Sequence, residues 1–446
     1  MKKLMKIFNV VLAMIMCLSL FTFSASAASK TEARYSLPFD VNAEAYILVS
    51  LDTGEVIFEK NSNQQYIPAS LTKMLTVYTA YQYIDDLDNT MITAPAYIYD
   101  ALFGMGGSTA DIRKGETLSA KELIYASMLP SANEAASILA DYVGKGSIDN
   151  FCMMMNNEAK KLGCTNTNFT NPHGLFIENH YTSAYDMYLI AKALYETPGF
   201  MDIAETVTHK MPDNPRYPNG WFIQSTIRMQ SRTSPYYRSY VSGMKTGSLN
   251  EIGHNFVTVC KNNGESYILV VIGAKKSEAD PSPAFTTTAQ IMDYFFETYS
   301  MRSANTLTFP VTDIPLKYAS DTDTLLLYAD TEVMSVLPND ADETSFQKVY
   351  NLPDSVSAPI HKGDAIGTVD YFLAGQKVGT SQLISNDDIE RSMVMFLVGK
   401  FQEAYQSLYF RVVLAVTATL IVAYVIYTYI QYKKYEKMNK VHRRRR

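Results

Sequence analysis

Residues 45–74 read AYILVSLDTGEVIFEKNSNQQYIPASLTKM. From Ala45 to Ser50 alternating apolar residues predict a strand, Asp52-Thr53-Gly54 supplies turn chemistry, and Val56 to Phe58 returns as its hairpin partner. Pro68 and Ala69 then open a helix predicted from Ser70 to about Ile84. Ser70 and Lys73 stand three apart in it, so hydroxyl and amine share one face. A serine hydroxyl is a poor nucleophile until a neighbouring base takes its proton, and a lysine kept neutral by its surroundings can be that base. Many helices contain S-x-x-K, so its weight depends on what else the chain carries.

Working outward, helical patterns cover Ala120 to Met128, with Ser119 and Glu122 as a capping-box pair, then Asn133 to Val143, Ile148 to Leu162 and Thr182 to Tyr195. Strands return at Gly243 to Ser248, Asn255 to Lys261 and, after the Asn262-Asn263-Gly264 turn, Tyr267 to Ile272; a helix from about Ala284 to Tyr299 follows. The pattern is α+β, an antiparallel sheet with strands first and last and a helical cluster between. After about Ser303 the helical period disappears. Leu325 to Tyr328, Glu332 to Leu337, and Ala365 to Phe372 turning at Ala374-Gly375 into Lys377 to Leu383 predict a small all-β sandwich over 304–388. An amphipathic membrane-proximal helix is expected over 389–409.

The 446 residues are 47% apolar and 19% charged, which excludes a disordered or fibrous chain and predicts about two folded domains. Charge is uneven. The last sixteen residues hold eight cations against Glu436, and Lys2, Lys3 and Lys6 precede an apolar stretch. With the total at −6, this excess of seven and those three lysines leave the body at −16. An acidic body argues against nucleic acid as a partner.

The ends address a membrane. Over 1–27 a basic start, an apolar run from Ile7 to Phe23 and Ala25-Ser26-Ala27 make an export signal, with Cys17 inside it. Val412 to Ile430 lacks any charge, so a transmembrane helix is expected over 410–431, with tyrosines at its far end and a basic tail over 432–446. By the positive-inside rule that tail is cytoplasmic and the body external, a single-pass arrangement. Of the cysteines left after cleavage, Cys152, Cys164 and Cys260, an odd number cannot all pair, and a helix between the first two holds them too far apart to bridge.

Two further motifs complete a set. Ser131-Ala132-Asn133 follows Leu129-Pro130 ahead of a helix, where a plain N-cap serine is the competing reading. Lys245-Thr246-Gly247 lies on a predicted edge strand, where a cation, a hydroxyl and a residue without a side chain let the strand lie beside a peptide and hold a carboxylate. The order S-x-x-K, S-x-N, K-T-G is that of penicillin-binding proteins and class A β-lactamases.

On these residues the chain resembles the serine D-alanyl-D-alanine carboxypeptidases, the low-molecular-mass penicillin-binding proteins. Pro68 to Met74 looks like the nucleophile segment, Ser131 to Ala136 the second motif, and Gly243 to Gly247 the third. Asn171-Pro172-His173-Gly174-Leu175, with Thr182 to Asp186 behind it, also resembles a family segment. Ala132 and Glu134 depart from the usual Ser-Gly-Asn-Asp, Ser248 stands where an aromatic or histidine is common, and a full membrane span replaces the amphipathic anchor of many members.

The resemblance implies a penicillin-binding/β-lactamase-like transpeptidase fold over 28–303. It also implies attack by Ser70 on the bond between the last two D-alanines of a peptidoglycan stem peptide, with Lys73 as base and no cofactor. Ser131 would relay the proton to the leaving amine, and Asn133 would bind substrate or orient Lys73. Lys245 and Thr246 would hold the terminal carboxylate, beside Gly247, and the backbone N–H groups of Ser70 and Ser248 would form the oxyanion hole. β-Lactams would then be covalent inhibitors, and one C-terminal helix would meet membrane lipid. A β-lactamase-like hydrolase and a non-catalytic peptidoglycan scaffold or β-lactam sensor are the alternatives. A zinc reading of His173, His180 and Asp186 lacks the H-E-x-x-H or Glu-x-x-His that would complete it, so no metal is expected.

Overall fold

Strands far apart in sequence meet in one sheet. The computed structural model describes residues 33–249 and 252–443, and the chain divides at Ser300–Met301 into two units. The predicted leader over 1–27 and the last three residues of the tail lie outside the described residues.

The first unit is built on β1 (Ala45–Ser50), β2 (Val56–Lys60), β3 (Val241–Leu249), β4 (Gly253–Asn262) and β5 (Glu265–Ala274), antiparallel in the order β2-β1-β5-β4-β3. All six residues of β1 are buried, because both faces of the sheet are covered. Period-two alternation sends Ala45, Ile47 and Val49 with Val257, Val259, Ile268 and Val270 into the core shared with the helices. On the opposite face Tyr267 meets Phe295 edge-on at 4.8 Å, and Phe256 meets Phe285 at 5.3 Å. Each such aliphatic side chain removed from water contributes about 1.5–3 kcal/mol. β4 and β5 join through Asn263-Gly264, both at positive φ (51° and 86°), the two-residue turn that matches strand twist.

The longer helices are α1 (Thr72–Tyr83), α2 (Ala120–Met128), α3 (Asn133–Val143), α4 (Ile148–Lys161), α5 (Ala184–Tyr195) and α6 (Pro283–Thr298). α1 is buried almost all round, from Thr72 to Val77 and again at Thr79 and Ala80. That environment decides the state of Lys73. Local chemistry sets several boundaries. Ser119, Ser147 and Ser183 each accept a backbone N–H at the start of α2, α4 and α5, so the last helix begins two residues later than its apolar pattern. The helix expected from Ser70 starts instead as a 3-10 turn, Ala69–Leu71, and only then becomes α1. The two-stranded pairings of Met91–Thr93 with Thr117–Ser119 and of Thr208–Met211 with Trp221–Gln224 are too short to leave a period in the sequence. Cys152, Cys164 and Cys260 are buried and free.

The second unit is all-β before its helices. β6 (Thr312–Lys317), β7 (Thr324–Ala329), β8 (Gln347–Asn351), β9 (Val356–Ser357), β10 (Ala365–Leu373) and β11 (Gln376–Ser385) form one sheet in the order β8-β10-β11-β7-β6-β9. β10 turns into β11 through Ala374-Gly375, both at positive φ. α7 (Met393–Gln406) begins four residues later than its pattern suggests, because Ile389 is held in a bridge to Ile360. Ser407 leaves helical geometry (φ −65°, ψ 138°), and α8 (Leu408–Arg443) then runs unbroken through the apolar stretch into the basic tail. The segment Leu408–Lys437 is long and apolar enough to cross a membrane, and none of its most apolar window is buried.

Candidate active site

The 3-10 turn at Ser70 is held from three sides. Ala69 has a φ of +50°, unusual for a residue with a side chain. Beneath it Asn255 of β4, 1% exposed, donates through Nδ2 to Pro68 O at 3.0 Å and Ile67 O at 3.2 Å, while its Oδ1 accepts from Gly273 N–H at 2.8 Å. On the second side runs β3, where a Cβ on Gly247 would lie 2.9 Å from Pro68 O and 3.2 Å from Leu71 N, so only glycine lets the edge strand come this close. The third side is the turn Asn171–Leu175. Gly174, at φ +85°, abuts Ala69 O, which a Cβ there would meet at 1.9 Å. Asn171 shapes this turn by accepting from Gly174 N–H at 2.6 Å and donating to Leu175 O at 2.9 Å.

Lys73 is fully buried, and its Nζ has three oxygen neighbours: His173 O at 2.7 Å, Asn133 Oδ1 at 2.8 Å and Ser70 Oγ at 3.1 Å. Burial above all, then the charge of Lys245, pulls its proton affinity well below that of an ordinary lysine, with Glu134 opposing. A neutral amine has two N–H donors and one lone pair. The His173 carbonyl and the Asn133 amide oxygen can only accept, so they take both donors and leave the lone pair for the Ser70 proton.

Ser131 sits at φ +67° just ahead of α3, whose N-cap is Ala132; the plain capping role for this serine is therefore not the one observed. It is 4% exposed, and among the described residues its hydroxyl has no hydrogen-bond partner. A buried hydroxyl in that condition costs about 1–3 kcal/mol unless a bound molecule meets it.

On β3, Lys245 is fully buried, its Nζ donating to Thr246 O at 3.0 Å, and burial pulls its pKa down to about 7. Thr246 Oγ1 lies 2.6 Å from Thr226 Oγ1, and Ser248 is exposed on the strand edge. A cavity of about 200 Å³ runs beside Thr246, Gly247, Ser248, His254 and Asn255. A larger one of about 890 Å³, lined by Tyr78, Asp85 and Glu196, contains none of the motif residues. Only the smaller borders the third motif, at Thr246 and Gly247.

The residues of the zinc alternative are engaged elsewhere. His180 Nδ1 accepts from Thr170 N–H at 3.0 Å, so its proton is on Nε2, which donates to Thr72 Oγ1 at 2.8 Å; Thr72 passes the bond on to Ala69 O at 2.9 Å. Burial holds His180 down to about 4, and His173 down to about 3. Asp186 accepts from Asn166 N–H at 2.7 Å and the Thr167 hydroxyl at 2.7 Å.

Direct hydrogen bonds thus join Ser70, Lys73 and Asn133, with Ser131 two residues from Asn133, and Gly247 brings the Lys245–Ser248 strand against the serine turn. Sequence reasoning missed Asn255 and the His173 carbonyl, and marked Glu134 only as a departure from the second motif. Asn255 follows Gly253-His254 in a strand with no local mark of function, and a backbone carbonyl carries no residue signal at all.

Residues 28–276 match the family described as D-alanyl-D-alanine carboxypeptidase, and residues 296–391 the C-terminal domain of penicillin-binding protein 5. The chain is 30% identical over 385 residues to the D-alanyl-D-alanine carboxypeptidase DacC of Escherichia coli, covering 84% of this chain and 90% of that protein. It is 27% identical over 374 residues to DacF of Bacillus subtilis, covering 84% and 92%. Among solved structures, penicillin binding protein 5 of Haemophilus influenzae aligns with a TM-score of 0.60 at 24% identity, over 80% of this chain and 99% of that one. DacD of Francisella tularensis aligns at 0.61 and 22%, over 83% and 99%. At these identities the structures speak to the fold alone.

Proposed function

The chain belongs to the D-alanyl-D-alanine carboxypeptidase family, and on that premise we propose that it is a membrane-anchored serine enzyme removing the terminal D-alanine from peptidoglycan stem pentapeptides through an acyl-enzyme. The observation that carries this reading is the three-oxygen environment of Lys73, which leaves the lone pair of its neutral amine free for the Ser70 proton.

In the proposed reaction Ser70 Oγ attacks the carbonyl carbon of the penultimate D-alanine as its proton passes to Lys73 Nζ. The backbone N–H groups of Ser70 and Ser248, brought together by Gly247, hold the resulting oxyanion. The C–N bond breaks, and the proton travels from Lys73 through the Ser131 hydroxyl to the departing nitrogen, which gives that hydroxyl its otherwise missing partner. Lys245, as ammonium, and Thr246 hold the free carboxylate of the terminal residue. Water, deprotonated by Lys73, then attacks the ester and restores Ser70. A penicillin presents a carbonyl and a carboxylate in the same relation, so it acylates Ser70 too.

The exposed apolar helix Leu408–Lys437 supports anchoring, and the cations beyond it support a cytoplasmic tail and an external body. Mass spectrometry of the protein with a D-Ala-D-Ala pentapeptide is expected to show loss of one alanine, and peptide mapping after labelled penicillin to find the label on Ser70. A label on another residue, or intact peptide, would overturn the reading.

A further inference from the structure

Glu134 departs from the aspartate usual at the fourth position of its motif, and it is buried at 4% exposure in the first turn of α3. Its Oε1 accepts from the Thr109 hydroxyl at 2.6 Å and from Ala110 N–H at 2.7 Å. Thr109 Oγ1 in turn accepts from Asp111 N–H at 2.9 Å. From the other side Trp221 Nε1 donates to Ala110 O at 2.9 Å. The Tyr217 hydroxyl and Arg216 bind Asp111 Oδ2 at 2.6 Å and 2.8 Å. The segment 107–111 is therefore gripped between the start of α3 and the 208–224 hairpin.

That segment is the wall behind Asn133. Ser108 O accepts from Asn133 N–H at 2.9 Å. Gly107, at φ +103°, approaches so closely that a Cβ there would stand 2.2 Å from Asn133 Nδ2. The amide of Asn133 is thus confined between Gly107 and Lys73 Nζ, with Oδ1 turned to the lysine.

We propose that Glu134 and Trp221 are positioning residues that clamp the two backbone polar groups of Ala110, fixing the 107–111 wall and through it the Asn133 amide that orients Lys73. This rests on the acylation reading above. An aspartate, one methylene shorter, does not span the same gap to Thr109 and Ala110 without moving backbone, so the clamp is particular to the glutamate. The negative charge of Glu134 also raises the proton affinity of Lys73, so its removal leaves the amine no less free to act as base.

The test uses the whole protein in detergent and compares Glu134→Gln, Glu134→Ala and Trp221→Phe for acylation by labelled penicillin. Trp221 is the chain's single tryptophan, so its fluorescence reports the clamped segment without a probe. Glu134→Gln keeps an acceptor oxygen and is expected within about threefold of wild type, with unchanged emission. Glu134→Ala is expected to lose about tenfold to a hundredfold in acylation rate, the loss typical of a misplaced catalytic group, with red-shifted emission. Adding Trp221→Phe to Glu134→Ala should cost little more, since both act on one element. If Glu134→Ala does not fold, Thr109→Val removes one donor and is expected to lose about threefold to tenfold. Acylation at the wild-type rate by Glu134→Ala, or by Thr109→Val where that variant carries the test, overturns the proposal. So does a Glu134→Gln as impaired as Glu134→Ala. Wild type that takes no label overturns the acylation reading itself, and this inference with it.

Discussion

Lys73 Nζ donates to Asn133 Oδ1 at 2.8 Å although the two residues stand 60 apart in the chain. The bond ties α1 to α3 in the middle of the unit, and it uses an amide rather than a carboxylate. A carboxylate there would favour the ammonium form; an amide carries no charge to hold that proton, as the base proposed for Lys73 requires.

Two lysines should act on the rate in opposite senses as pH rises. In the proposed reaction Lys73 works as the free amine, and burial, then Lys245, hold its proton affinity well below the ordinary range. Lys245 is proposed to work as the cation, and burial brings it to about 7. Acylation by a D-Ala-D-Ala peptide should therefore rise with pH as Lys73 loses its proton and fall as Lys245 loses its own near pH 7. A peptide amidated at its terminus should keep the first limb and lack the second, and Lys245→Ala should cost it little while costing the free acid about 1.5–3 kcal/mol. An alkaline limb common to both peptides, read from second-order rates across pH, would contradict the role of Lys245.

Ser131→Ala should separate stability from activity. The hydroxyl has no partner among the described residues, so its removal is expected to leave stability unchanged or raise it, by about 1–3 kcal/mol at most, while turnover of the pentapeptide collapses. Ser131→Gly should gain further by relieving the positive φ. Calorimetry beside a turnover assay decides; a variant both less stable and fully active would remove Ser131 from the mechanism.

Two glycines should fail differently. Gly174→Ala places a Cβ 1.9 Å from Ala69 O at a φ of +85°, and is expected to cost about 2–3 kcal/mol, a Tm fall of about 5–10 °C. Gly247→Ala meets Pro68 O at 2.9 Å, a contact relieved by moving the edge strand outward. It should lower Tm little and acylation about tenfold or more, since the oxyanion donors part. Equal thermal losses would show that β3 has no freedom to move.

How much of this was legible depended on range. Ser70 and Lys73 are three apart across a 3-10 turn and the start of α1, so their meeting is written in local spacing, and the Asn263-Gly264 and Ala374-Gly375 turns announced themselves through a glycine that tolerates positive φ. Asn255 was illegible because its partners, Ile67 O and Pro68 O, are backbone atoms nearly 190 residues away. The late start of α7 was illegible for the same reason: a bridge from Ile389 to Ile360 overrides a sound helical pattern. Glu134 was noticed only as a departure from a motif, since its partner loop has no period.

Acid should weaken the fold through two histidines. His180 and His173 are held at about 4 and about 3, against about 6.5 for an unfolded histidine. Below pH 6.5 the unfolded chain takes up protons that the folded chain refuses, so stability is lost as pH falls from 6.5 toward 4, by about 3 kcal/mol for His180 alone. His180→Asn, lacking this titration, should show a shallower decline of the urea midpoint over that interval. An unchanged slope would mean that His180 is accessible to protons in the folded state.

β3 is an edge, and an open edge invites other strands to add to it. Its register slips between Ser242 and Lys245, where Gly243 and Met244 both take positive φ. The irregularity leaves only Lys245 to Leu249 straight, about 17 Å of template. An extended tail of a few residues fits that length, while a strand from a neighbouring molecule meets the kink before it can zip. The slip thereby shortens the regular edge along which a strand from another molecule could pair.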